Sequence, residues 1–568
     1  MIRKLTNVYN FRAEHAYRKL LSFHANSSPQ FFIEILTTAL LVELDYNTFE
    51  ARLKEHEEKT IKISTRKGGP KGLVIAEHLF DEKDYEANSK RPRLVILGSG
   101  WGAVSLIKGL DKSKYHVTIV SPQNYFLFTP LLPSATVGTL EPRSIIKGVD
   151  AHYIEAKATD VIFDEKLVEI TPGNDPNASF YVPYDKLVVA VGSESITHGI
   201  EGLEYCHTLK SINDARKIRS KIMDNFENAT LPTTSPEERK RLLSFVVCGG
   251  GPTGVEFAAE LYDFLTEDVV KYFPTVLRNE VQVNIIQSSD HILNTYDAKI
   301  SDFAESEKQE TKKLEYGLCL WSTGIAMNPL TKIISDKLPE QQNKRALVTD
   351  NRLRLKGIQD SSVYAIGDCA TIENPNLVRG LMKFFTDCDA DKNGHLSYDE
   401  FVTLAKKIAK KYPLTVNHLA HADKLFYRYD TDKSGTLELD ELRCMLEDID
   451  KKVTSLPATA QVANQQGKYL GKKLNRIILA TETSIFPSSM DYSEDSDSSN
   501  PDIDDKLAPF EYAHLGSLAY IGNAAVADFG LGWTWMGGLS AVYLWRSIYF
   551  SEQVSLRTRA LLAFDWTK

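Results

Sequence analysis

FVVCGGGPTGVEFAAEL, residues 245–261, is an apolar run that turns through glycines into an amphipathic helix. Gly249 stands where a strand must turn tightly, Gly251 where a pyrophosphate needs bare backbone, and Gly254 where the helix packs on the strand. Gly250, Thr253 and Glu256 lie in the same loop and opening helical turns. A lone fingerprint of this kind is weak, because tight turns use glycine for steric reasons alone. A second copy decides the matter. RLVILGSGWGA (93–103) has Gly98 in the turn, Gly100 at the bare position and Ala103 at the packing position. Two such units in one chain suggest two dinucleotides, a flavin and a nicotinamide.

Two further pieces fit. SSVYAIGDCA (361–370) is a strand ending in Gly367-Asp368, a turn that offers an Asp to the ribityl chain of FAD in two-dinucleotide flavoproteins. LVVAVGS (187–193), with Gly192, reads as the strand and glycine turn that close the flavin domain. From 91 to about 372, strand-like runs alternate with helical patterns, the mark of α/β units. The fold class expected is a pair of tandem Rossmann-like domains. No cysteine lies between the first fingerprint and Cys206, which excludes the redox-disulfide arrangement of glutathione-reductase-like enzymes. Electrons leaving the flavin need another acceptor.

At 568 residues the chain is too long for one core. A net charge of −9 and a pI near 5.9 argue against nucleic acid as partner. The six cysteines are scattered with no CxxC, so they form neither a disulfide framework nor a zinc site. The first thirty residues carry Arg3, Lys4, Arg12, Arg18 and Lys19 against Glu14 alone, which suits a mitochondrial transit peptide or an ordinary basic amphipathic helix. FFIEILTTALLV (31–42) is too short to span a membrane.

With SPQNYFLFTPLLPSATVGTLEPRSI (121–145), LWSTG (320–324) and LPATAQVANQQGKYLG (456–471) added, the chain resembles a type II, non-proton-pumping NAD(P)H:ubiquinone oxidoreductase from about residue 90 to its end. More narrowly, it is similar to the calcium-binding external NADPH dehydrogenases of fungal mitochondria. The resemblance implies that Gly98, Ser99, Gly100, Trp101, Gly102 and Ala103 line FAD and that Asp368 meets its ribityl chain. It implies that Gln461 and Gln465 act beside the quinone and flavin, and that Gly324 belongs to the nicotinamide site. Without it, both glutamines of that amphipathic helix read as solvent-facing. Ser121 ends the strand HVTIVS (116–121) where a typical flavin domain has an acid for the ribose.

DADKNGHLSYDE (389–400) and DTDKSGTLELDE (430–441) each fit the twelve-position EF-hand loop. Asp389, Asp391 and Asn393 offer oxygens at positions 1, 3 and 5, His395 its carbonyl and Glu400 a bidentate carboxylate. Asp430, Asp432, Ser434, Thr436 and Glu441 repeat the set. Hard oxygen ligands in this order suit Ca²⁺, and a pair is far more specific than one loop. The pair interrupts the flavoprotein between AIGDCA and the quinone element, which points to regulation.

VQVNIIQSSD (281–290) ends its strand in Gln287, where an acid usually holds the adenosine ribose. A carboxylate there would repel a 2′-phosphate by about 4 kcal/mol at about 4 Å and an effective dielectric of 20. Glutamine removes that repulsion, so NADPH is expected to be accepted and preferred over NADH. Beyond this strand, AKISDFAESEKQETKKLEYGLC (298–319) is highly charged and shows no strand alternation. The nicotinamide domain is therefore expected to be short, with an exposed sheet edge.

FGLGWTWMGGLSAVYLW (529–545) carries no charge but is short and glycine-laden for a spanning helix. SIYFSEQVSLRTRALLAF (547–564) reads as one helix with Arg557 and Arg559 beside apolar residues, suited to an interfacial anchor, with a packed core segment as the alternative. The resulting division is a leader and linker (1–90), an FAD-binding domain in two parts (91–240 and 331–375), a shortened NAD(P)H-binding domain (241–330), an α-helical EF-hand pair (376–452), and a quinone-site element with a C-terminal membrane anchor (453–568). The resemblance implies ubiquinone as acceptor and the mitochondrial inner membrane, on the side of the intermembrane space, as location; a homodimer is left open. Two rivals remain: a soluble flavin reductase with a protein acceptor, and a calcium-binding protein whose truncated nucleotide domain has lost NADPH.

Overall fold

The computed structural model describes residues 66–77 and 90–567 apart from short breaks, the longest being 274–279, 294–312, 374–380, 412–418, 484–502 and 529–533. Contacts divide the chain into two compact units, 1–66 with 77–85 and the remainder. Almost all of the first lies outside the described residues, as do the basic N-terminal stretch and FFIEILTTALLV.

Arg93–Leu97, the first fingerprint strand, lies between His116–Ser121 and Lys186–Val189. His152–Ile162 and Val363–Ala365 flank that trio, and all five run parallel. A parallel sheet is covered on both faces, which is why RLVIL is apolar throughout instead of alternating. Leu94 and Ile96 pack with Leu106, Ile107 and Leu470, while Val95 and Leu97 pack with Leu330 and Ile334. Leu167–Pro172 and Phe180–Pro183 extend the sheet antiparallel. Leu73–Ile75 adds a strand by pairing Ile75 with Tyr181, from within the stretch read as leader and linker.

The second fingerprint strand, Ser244–Cys248, pairs in parallel with Gln282–Ile286 on one side and Leu318–Trp321 on the other. Three strands form this sheet among the described residues. Gln282–Ile286 is half open, with Ile286 46% exposed, and no described strand pairs with its outer edge. Residues 294–312, which hold most of the charged stretch, lie outside the described set. Ser193–Ser195 and Ile325–Met327, antiparallel to each other, join the two sheets' chains.

The helix Ala460–Thr483 packs against the first fingerprint helix, Trp101–Gly109, with glycines at the seam. A Cβ on Gly467 would stand 2.3 Å from the Gly102 carbonyl oxygen, and one on Gly471 2.7 Å from that of Leu106. Only bare backbone fits there. Further along, Lys473 is buried with Asp504, Nζ to Oδ1 2.5 Å, and also donates to the Arg352 carbonyl at 2.8 Å. The Tyr364 hydroxyl donates to Asp504 Oδ2 at 2.9 Å, while Oδ1 faces the Lys473 ammonium.

The C-terminal region differs from the sequence reading in one element. Within the uncharged run, Thr534–Met536 is the last strand of an antiparallel meander with Ser517–Tyr520 and Ala525–Asp528. Gly537 (φ 84°) and Gly538 (φ 78°) then turn the chain into the helix Gly538–Glu552. The single helix expected over 547–564 is broken at Gln553, and a Ser555–Thr558 capping box starts another, Leu556–Asp565. Among the described residues no helix is long and apolar enough to cross a membrane.

Gly467→Val should destabilise the protein by about 1–3 kcal/mol or more, since backbone lies on both sides of the new side chain. Thermal unfolding checks this against Lys468→Ala, the exposed neighbouring position, for which no change is expected.

Candidate active site

At the first fingerprint, Gly98 adopts φ +107° and a Cβ there would meet the Ala190 carbonyl oxygen at 2.3 Å. Gly100 caps the helix Trp101–Gly109 and faces open space, the bare position a diphosphate needs at a helix N-terminus. Ala103 is fully buried, and a Cβ on Gly102 would press on the Ile366 side chain. Trp101 donates from its indole to Thr129 Oγ1 at 3.0 Å and packs edge-on to Phe126. Ser121 has its hydroxyl 3.1 Å from that of Ser99, whose Oγ also reaches the Gln123 and Tyr125 carbonyls at 3.0 Å. The serine pair thus fixes the loop where a carboxylate would otherwise stand.

Parallel pairing of Val189 with Ala365 carries the chain ends that follow, Gly192-Ser193 and Gly367-Asp368, to the same edge of the sheet. Gly192 (φ 69°) has open space around it. Burial raises the Asp368 carboxyl, opposed by the nearby Lys210 charge and by a hydrogen bond from Ser193. A carboxylate kept short of hydration at the mouth of an open glycine cradle fits polyhydroxyl binding.

At the second fingerprint, Gly249 adopts φ +115° against Ser322, and a Cβ on Gly254 would meet the Gly249 carbonyl oxygen at 2.1 Å. Gly251 faces open space at the N-cap of the helix Pro252–Asp263, with Thr253 exposed in its first turn. Gln287 lies at this loop: its Oε1 accepts from the Gly250 N–H at 2.9 Å, which leaves the amide NH₂ to face a ribose substituent. Gly324 (φ 58°) is exposed after Ser322, whose hydroxyl donates to the Cys248 carbonyl at 3.1 Å. The Thr323 hydroxyl is buried with no partner, an orphan a bound nucleotide can satisfy.

The quinone-element glutamines are split. Gln461 accepts from the Tyr512 hydroxyl at 2.5 Å and the Leu515 N–H at 3.3 Å, and Gln465 exchanges two bonds with the Ala513 backbone at 2.7 and 3.0 Å. Both hold the segment 512–516. Gln466, which sequence reasoning missed, is the buried one: its Oε1 accepts from the Gly367 N–H at 2.7 Å, next to Asp368. The signal was its phase, since Val462, Ala463 and Leu470 lie on the same buried stripe.

Glu256 lies away from the open cradle. It is buried, accepts from the Tyr520 N–H at 3.4 Å, and is pushed up to about 8 by burial and by the neighbouring Glu260. Glu260, also buried, accepts from Ser134 at 2.5 Å and Thr139 at 3.0 Å, so the helix binds the 129–139 segment through carboxyl groups.

In the EF-hand pair, Leu396 and Leu437 exchange backbone bonds of 2.9 and 2.8 Å, and Phe401, Leu404, Phe426 and Met445 fill the core between the helices. Oxygens of Asp389, Asp391 and Glu400 lie within 4.8 Å of one another, as do those of Asp430, Asp432 and Glu441. The Asn393 and His395 N–H groups donate within the first loop, to Asp389 at 3.1 Å and to Asn393 Oδ1 at 2.7 Å. Ser434 and Thr436 sit together in the second, their hydroxyls 3.2 Å apart. Gly394 (φ 83°) and Gly435 (φ 78°) make the sharp turns. Both oxygen clusters fit a hard divalent cation.

Two glycine cradles on two joined parallel sheets place the chain in the class of two-dinucleotide flavoproteins. In agreement, residues 92–310 match the family model of pyridine nucleotide-disulphide oxidoreductases, 378–447 that of the EF-hand domain pair, and 514–568 that of the NDH2 C-terminal domain. The external alternative NAD(P)H-ubiquinone oxidoreductase B1 of Solanum tuberosum is 38% identical over 549 aligned positions, covering 87% of this chain and 93% of the relative. The external NADH-ubiquinone oxidoreductase 2 of Saccharomyces cerevisiae is 34% identical, covering 84% and 81%. A solved structure of NDH2 from Plasmodium falciparum in complex with NADH superposes with a TM-score of 0.71 at 29% identity, covering 84% of this chain and 98% of that one. The chain belongs to the family of external alternative NAD(P)H-ubiquinone oxidoreductases. Since 87% of 568 residues is about 494, about 55 of the 549 positions aligned with the potato relative face gaps here.

Glu256 binds a proton in the folded chain between its ordinary value of 4.5 and about 8, where the unfolded chain has released it, so its contribution to stability falls as pH rises through that window. Glu256→Gln should flatten the decline and raise Tm at pH 8 by about a few degrees. Thermal unfolding of both forms at pH 5 and pH 8 checks it.

Proposed function

We propose that the chain is an FAD enzyme that passes two electrons from NAD(P)H to ubiquinone, without pumping protons, under calcium control. The observation that carries this reading is the Gln466–Gly367 bond. It ties the helix bearing the quinone-element glutamines to the turn that offers Asp368 to the flavin. Bound FAD supplies the chemistry of accepting hydride and returning electrons to a quinone.

The chain's own residues place and shield. Gly98, Gly100 and Gly102 with the helix Trp101–Gly109 hold the diphosphate, and Asp368 the ribityl hydroxyls. Gly249, Gly251 and Gly254 hold the nicotinamide dinucleotide, with the Gln287 amide toward its ribose. Gln461 and Gln465 position the segment 512–516 beside the quinone path, so their role is to hold that wall. The relatives' names are mitochondrial and external; the reading extends this to the inner membrane, on the side of the intermembrane space. Membrane contact is supported by Tyr543, Phe550 and Phe564, exposed on the two C-terminal helices that also carry Arg557 and Arg559. The open edge at Gln282–Ile286 favours one rival, a calcium-binding protein that has lost NADPH.

Anaerobic titration separates the two. NADPH should bleach the bound flavin's absorption, and Gln287→Glu should move the preference toward NADH by about tenfold, a third or so of the repulsion estimated above. A flavin that fails to bleach with either nucleotide would establish the rival. With excess quinone, EGTA should slow turnover and calcium restore it; equal rates in both would remove calcium control.

A further inference from the structure

Lys210 stands just before the helix Ile212–Ala229. Its backbone N–H donates to Asp214 Oδ2 at 3.1 Å, beside the Ser211–Asp214 capping box, so its position is set by a rigid helix end. From there the side chain crosses to the other wall of the flavin cradle. Nζ donates to the Ser193 carbonyl at 2.9 Å and approaches Ser193 Oγ at 3.4 Å. Ser193 in turn hydrogen-bonds the Asp368 carboxylate, and Lys210 and Asp368 feel each other's charge.

Lys210 is exposed by area, yet burial is the first cause lowering its ammonium, against the pull of Asp368 and Glu194. Its Nζ is nonetheless tied down on the Ser193 carbonyl and hydroxyl. Ser193 and Asp368 directly follow Gly192 and Gly367, the glycine turns of the flavin cradle. An ammonium held there has a purpose that packing does not supply, because a lysine on a free surface keeps its water.

We propose that Lys210 is a positioning residue of the flavin site, which acts through Ser193 to aim the Asp368 carboxylate, and which sets a positive charge beside the bound cofactor. This rests on the flavin reading above. Asp368 loses hydration on burial, and without a cation nearby its charged form is disfavoured; a neutral carboxyl is the weaker acceptor for ribityl hydroxyls. The same charge favours electrons arriving at the flavin.

The test uses the full chain, with FAD affinity of the apoprotein and the two-electron midpoint potential of bound FAD as readouts. Lys210→Met should weaken FAD about tenfold, the effect of one lost charge-assisted interaction. It should also make the potential more negative, and Lys210→Arg should restore both. In an Asp368→Asn background, Lys210→Met should add little, because the two residues act as one unit. Far-UV circular dichroism checks that each variant folds; if Lys210→Met does not, Ser193→Ala breaks the same link and should weaken FAD likewise. Unchanged affinity and potential in Lys210→Met, or full additivity with Asp368→Asn, overturns the assignment. If the wild-type chain takes up no FAD, the flavin reading itself falls.

Discussion

The structure depends on one close approach. Gly467 and Gly471 let the helix Ala460–Thr483 lie against Gly102 and Leu106 of the helix that caps the first fingerprint strand. A normal helix pair stands 8–10 Å apart because side chains fill the seam. Here bare backbone fills it, and Gln466 reaches Gly367 in consequence. Side chains at the seam would lift the helix by about the width of a methyl group or two, enough to break a 2.7 Å bond, whose formation requires short range and good alignment. The helix with the glutamines and the turn with Asp368 meet because these glycines are glycines.

Buried charge secures the same helix further along. Lys473, held down to about 8 by burial, sits against Asp504, with Tyr364 and the Arg352 carbonyl completing the pair. Taking two ions out of water is costly, and replacing such a pair by apolar side chains is often neutral for stability. What apolar residues do not supply is direction. The pair fixes how the segment 503–507 lies across the sheet end, and thereby where Tyr512 and Ala513 meet Gln461 and Gln465. At the second fingerprint two buried acids do similar work: Glu256 accepts from Tyr520 and Glu260 from Ser134 and Thr139, with burial raising both carboxyls and the Arg546 charge opposing the rise at Glu260.

Much of this was legible in the letters, for reasons that differ by residue. Gly98, Gly249, Gly394 and Gly435 answer local backbone demands, so their pattern survives without tertiary information. The EF-hand oxygens follow from a fixed loop register for the same reason. Gln466 was not found, because which of two adjacent glutamines faces inward depends on helical phase against a partner helix far away in sequence. Ser121 was read as a lost acid; its role emerges only from the distance to Ser99. The break at Gln553 was readable in SLRT, but Thr558 stands where a capping box usually has Glu or Gln, and the apolar spacing on either side hid it. Lys210 and Ser193 gave no signal, since a lysine before a capping box reads as surface.

Calcium control gains a physical route from where the EF-hand pair is inserted. The chain leaves the flavin domain at the strand Ala370–Ile372, just after Asp368, and returns at the helix that begins at Ala460. The Gln466–Gly367 bond joins that helix to the turn Gly367–Cys369, which directly precedes the strand. Cation binding draws the carboxylates of each loop onto one centre, and the Leu396–Leu437 bridge couples the loops so that they respond together. The effect required is small: a difference of 1.4 kcal/mol in how well the insert fits the closed arrangement changes its population about tenfold. A loop pair that binds calcium with ordinary EF-hand affinity has several times that energy to distribute, so control needs only a modest fraction of it directed to the ends of the insert.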